Sequence, residues 1–79
     1  MREVNAKEFK KAMIEADCDT YGQLSELCGI SRTILGQYVA GDQKPSYDSI
    51  VKLADAMGLT YEDIGIIFFS VPIAEMQQE

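Results

Sequence analysis

Three features of the sequence predict an all-α fold of five short helices. Side chains able to cap a helix N-terminus stand at Asn5, Thr20, Ser31, Ser46 and Thr60. Apolar residues recur at helical spacing after each of them. Glycine, or a break such as Asp17-Cys18-Asp19, then closes the first four runs.

Asn5-Ala6-Lys7-Glu8 has capping-box spacing, an amide followed three residues later by a carboxylate. The helix it opens is expected to reach about Ala16, with Phe9, Ala12, Met13 and Ala16 on its buried stripe. Thr20 caps a second helix with Leu24, Leu27 and Cys28 inside, and Gly29 ends it. Ser31 starts a third helix through about Val39, with Leu35 and Tyr38 facing inward, and Ala40-Gly41-Asp42 terminates it. Lys44-Pro45-Ser46 is a short connection, because the residue before proline disfavours helix. Ser46 caps a fourth helix with Ile50, Leu53, Ala54 and Met57 inside, closed by Gly58. Thr60-Tyr61-Glu62-Asp63 opens a fifth, through about Phe68; the tail from Phe69 to Glu79 contains Pro72 and reads as extended or loose.

Seventy-nine residues allow one hydrophobic core, and 47% hydrophobic residues are enough to fill it. No apolar run approaches the roughly 20 residues that cross a bilayer, and the N-terminus lacks the apolar core of a secretion signal. A cytoplasmic location and no membrane partner are expected. Cys18 and Cys28 read as small buried hydrophobes. With no histidine and no CxxC pair, neither a metal site nor any cofactor is expected. The cluster Glu15, Asp17, Asp19 reads as a solvated loop. No nucleophile–base pair and no phosphate-cradling glycine loop is present, so enzymatic activity is not expected.

The informative stretch is TYGQLSELCGISRTILGQYVAGDQKPS, residues 20–46. A short helix, a turn at Gly29-Ile30-Ser31 and a second helix form a unit whose second helix can enter a major groove. Leu24, Leu27, Ile30 and Leu35 are expected to lock the two helices together. The exposed face then carries Arg32 and Thr33 and, one turn later, Gly36 and Gln37. Arginine and glutamine are shaped to bond base edges bidentately, and Gly36 leaves a gap where a duplex could approach.

From Phe9 to Ile64 the chain resembles the lambda-repressor and Cro-like helix-turn-helix proteins of phages and bacteria. The residues that carry the resemblance are Gln23-Leu24, Leu27, Gly29-Ile30-Ser31-Arg32, Leu35, Gly41, Pro45-Ser46 and the run from Ile50 to Leu59. It implies a compact five-helix DNA-binding domain over residues 1–68, with the helix-turn-helix at about 20–40 and helix three as the recognition helix. Arg32, Thr33 and Gln37 match the family's base-reading positions. Tyr21 stands where a glutamine often holds a phosphate, and Gln43, Lys44 and Ser46 fall in the loop that meets the backbone; Tyr47 could also touch it. Asp42 departs from the pattern, since a lysine is common there. The positions of a buried arginine–glutamate pair read Ile14 and Val39, a swap to apolar residues that is often neutral or stabilising.

Residues 64–76 hold more apolar surface than a small monomer normally leaves in water. Ile64, Ile67 and Phe68 can be buried by a short helix. The rest, with Ile66, Phe69, Val71 and Ile73, suits a homodimer built on helix five and the tail 69–79; the alternative is a tail folded back over the core. The function implied is a sequence-specific transcriptional repressor of a phage or bacterium, acting on a double-stranded DNA operator. Against it stands the net charge of −6, because nucleic-acid binders are usually basic. Lys7, Lys10 and Lys11 read as a solvated face rather than a second DNA stripe. The alternative is a protein-interaction module on the same scaffold, an antirepressor or antitoxin-like protein partner of another regulator, which the acidic charge, Asp42 and the apolar tail favour.

Overall fold

A computed structural model describes residues 4–69. They form α1 (Ala6–Glu15), α2 (Tyr21–Cys28), α3 (Arg32–Ala40), α4 (Tyr47–Met57) and α5 (Tyr61–Phe68), with no strand among the described residues. All five expected caps are used. Asn5, Thr20, Ser31, Ser46 and Thr60 each accept a hydrogen bond from the backbone N–H three residues on. Each cap therefore satisfies one of the first-turn amides that a helix start leaves without an intrahelical partner.

Two caps differ from expectation in an informative way. At Asn5 the capping box is half made: the Asn5 backbone N–H donates to the Ile67 carbonyl at 2.7 Å instead of to Glu8. That bond ties the start of α1 to the end of α5. At Thr20 the box is complete, with the Gln23 side chain accepting from the Thr20 backbone N–H. The end of α1 is a Schellman turn with Asp17 in the left-handed region, φ 62°. The Cys18 N–H donates to Met13 and the Asp17 N–H to Ile14, which satisfies two of the last carbonyls of the helix.

The core is one cluster to which every helix contributes: Phe9 and Met13 from α1, Leu24 from α2, Leu35 and Tyr38 from α3, Leu53 and Met57 from α4, and Ile67 and Phe68 from α5. Phe9 meets Phe68 edge to face at 6.3 Å, which fastens α1 to α5. Ile64 packs half-buried beside them, as the sequence led us to expect. Val4 is buried too, which the sequence reading missed. It precedes the Asn5 cap while Phe9 is the fourth helical residue, the two positions of a hydrophobic staple. Cys18 and Cys28 are free and buried; burial first, then Asp17, Cys28 and Asp19, push the Cys18 thiol above its ordinary pKa.

Two expected core residues lie outside. Leu27 is 59% exposed. An eight-residue helix presents one narrow stripe, and Leu24 with Cys28, four apart, already defines it; Leu27 lies about 80° to its side. Ile14 is 67% exposed while Val39 is half-buried against the core, so the two do not form a buried apolar pair replacing an ion pair. Of the residues expected at a dimer interface, Val71 and Ile73 lie outside the described residues.

Candidate nucleic-acid interface

The turn between α2 and α3 is three residues, Gly29, Ile30 and Ser31. Gly29 has φ 81°, a conformation in which a Cβ would strain the backbone, and its N–H donates to the Ser25 carbonyl to close α2. Ile30 is buried and holds the turn against the core, and Ser31 then caps α3 through the Ile34 N–H at 3.2 Å. A buried residue between a glycine stop and a serine start fixes where α3 begins.

On α3, Leu35 and Tyr38 are buried and Ile34 and Val39 pack half-buried beside them. At 3.6 residues per turn the opposite side is made of Arg32, Thr33, Gly36 and Gln37. The Arg32 and Thr33 side chains are exposed, and Gln37 is half-buried. The three residues expected to read bases thus lie on one outward face. Gly36 behaves differently from expectation. A Cβ there would stand 3.8 and 3.9 Å from two ring carbons of Tyr21. The space beside Gly36 is therefore occupied by the Tyr21 ring, which packs half-buried between α2 and α3.

The loop after α3 is organised by one carbonyl. Gln37 accepts from the Asp42 N–H at 2.9 Å and the Gln43 N–H at 3.3 Å, with Gly41 in the left-handed region between. This puts Asp42, Gln43 and Lys44 in solvent just beyond the C-terminus of α3. The Asp42 carboxylate opposes the Lys44 charge there. Ser46 spends its hydroxyl on the α4 cap: it accepts from the Ser49 N–H and donates to the Ser49 hydroxyl, both at 3.2 Å. Ser49 in turn accepts from the buried Tyr38 hydroxyl at 3.0 Å, so α3 is pinned to α4. Tyr47 is 80% exposed and lines a groove with Val51, Tyr61, Ile64 and Phe69.

Ile66 and Phe69 do not share a surface. Ile66 is half-buried in a cleft beside α1 with Glu8, Lys11, Glu15 and Asp63, whereas Phe69 borders the apolar α4–α5 groove. Among the described residues no group of three or more histidine, cysteine or acidic side chains could hold a metal ion. No described helix is long and apolar enough to cross a membrane.

Residues 20–64, more than half of the 79, match the model of a family described as helix-turn-helix. None of the curated proteins and none of the solved structures matches the chain. The match begins at the Thr20 cap and ends inside α5, so it spans the two-helix unit, the loop and the helix that pins them. The chain belongs to the helix-turn-helix family of the lambda-repressor and Cro-like type.

Proposed function

We propose that this chain is a sequence-specific transcriptional repressor that lays α3 in the major groove of its operator and works as a homodimer. The observation that carries the reading is the outward face of Arg32, Thr33 and Gln37 on a helix whose other side is buried. Membership of a DNA-binding family supports it. Arg32, at the first turn of α3, is the side chain best placed to bond a guanine edge bidentately, with Thr33 and Gln37 reading neighbouring bases. Tyr21, Gln43 and Lys44 border that face and hold the sugar-phosphate backbone, with Ser46 contributing what its cap leaves free; Tyr47 lines the α4–α5 groove instead. Residues 1–68 act as the reading domain and the tail 69–79, which begins with Phe69 at the apolar α4–α5 groove, as the dimerisation segment; Ile66, in the cleft beside α1, faces elsewhere.

The test begins with duplexes selected from a random-sequence pool by the full chain. Arg32→Ala should cost about 1–3 kcal/mol of discrimination at one base pair, since a bidentate pair is worth that much. Binding of the selected duplex by Arg32→Ala with unchanged affinity and preference overturns the reading. The net charge of −6 and the apolar α4–α5 groove favour a second reading, a module that binds another protein. Salt separates them: affinity for DNA falls steeply as salt rises, and an apolar protein contact keeps its strength.

A further inference from the structure

Exposed apolar side chains are concentrated at one place on the described surface. Six large hydrophobic residues are exposed among the described residues, and four of them, Tyr47, Val51, Tyr61 and Phe69, line the groove between α4 and α5. Asp55 is the one charged residue among those lining it, and no cation does so. A small soluble chain normally covers a patch of this kind. The chain itself continues from the groove's edge. Phe69 borders the groove, and Ser70-Val71-Pro72-Ile73-Ala74 follows before the first carboxylate of the tail, Glu75.

From this continuity we propose that the groove is the seat of the chain's own tail: residues 70–74 lie in it in the free subunit, and pairing of two copies has first to release them. The consequence for pairing rests on the homodimer reading above; the seat itself does not. The physical case has three parts. Five residues extend about 17 Å, and an eleven-residue helix such as α4 is about 16 Å long, so the segment can run the length of the groove. Pro72 fixes its own φ, has no N–H to leave unpaired against apolar walls, and drives Val71 toward extended backbone. Residues two apart share a face in extended chain, as Val71 and Ile73 then do. A segment ordered in advance loses little entropy when it docks among exposed aromatic rings. Charge and tethering then decide between the tail and a second copy. A second copy brings a further −6, whereas residues 70–74 carry no charge. Being tethered, they also meet the groove at an effective concentration on the order of millimolar. In dilute solution the tail wins.

The experiment records proton–proton NOEs on the isotope-labelled full chain, at a concentration where sedimentation equilibrium finds a monomer. The methyl groups of Val71 and Ile73 should show NOEs to the rings of Tyr47 or Tyr61. Ile73→Asp should lose these NOEs and uncover the groove, raising the fluorescence of added ANS severalfold, while Ile73→Leu keeps them. Circular dichroism shows that each variant is folded. A monomeric wild type without such NOEs, or Ile73→Asp with wild-type ANS fluorescence, overturns the inference. A mixture of labelled and unlabelled chains at millimolar concentration separates the seat from the dimer, because filtered spectra then report contacts between copies alone. Contacts of residues 70–74 with another copy, and none within the monomer, overturn the inference and leave the dimer standing. Contacts within a chain that never pairs support the seat and remove the dimer.

Discussion

At the residue scale, two glycines of the two-helix unit carry opposite predictions. Gly36 sits in α3 with room for a Cβ at ordinary contact distance from the Tyr21 ring. Alanine there removes the entropy penalty of a glycine inside a helix, worth about 0.5–1 kcal/mol, so Gly36→Ala should raise the melting temperature. Gly29 has open space around its Cβ position but φ 81°. Gly29→Ala must strain the backbone by about 1–2 kcal/mol and should lower it. Thermal melts of both variants test the pair, and equal shifts would contradict the packing described for Tyr21. The sequence made Gly29 legible because a glycine between two capped helices has a local cause. It did not make Gly36 legible, since its neighbour Tyr21 is fifteen positions away and reaches it only in the fold. Leu27 and Ile14 failed for a related reason: an apolar residue near a helical stripe is buried only if another helix covers that side.

At the element scale, helix starts were readable and helix fixings were not. A cap is a bond within four residues, so the Thr20 cap and the pairing of Thr60 with Asp63 follow from the sequence chemistry alone. The bonds that fix one helix to another are long-range: the Asn5 N–H to Ile67, the Phe9–Phe68 ring contact, and Tyr38 to Ser49. The last of these matters for the proposed function, because it pins α3 to α4 from the side away from Arg32 and Thr33. Tyr38→Phe leaves the ring in the core and deletes only the hydroxyl bond. It should cost about 1 kcal/mol in chemical denaturation, the net worth of one such hydrogen bond. Ser49 keeps its bonds to Ser46, so the α4 cap should survive. An unchanged midpoint in Tyr38→Phe would mean that packing alone positions α3.

At the scale of the whole molecule, charge and apolar surface pull in opposite directions. Each chain carries −6, which opposes both a polyanionic ligand and a second copy of itself. Yet Tyr47, Val51, Tyr61 and Phe69 leave an apolar groove of about 490 Å3 between α4 and α5. If two copies pair through this end, burial of the groove must outweigh the repulsion, and added salt helps by screening it beyond about 8 Å. The same salt weakens phosphate contacts. Dimerisation should therefore strengthen, and binding to DNA weaken, across one salt titration. Sedimentation equilibrium at about 50 and 300 mM salt checks the first trend and anisotropy the second. Phe69→Asp places a charge at the groove and should yield a folded monomer. That monomer should bind paired half-sites 10²–10⁴-fold more weakly, because the second half-site no longer acts at high effective concentration. A wild-type chain that stays monomeric at millimolar concentration in both salts would remove the dimer from the proposed function and leave α3 to read a single half-site.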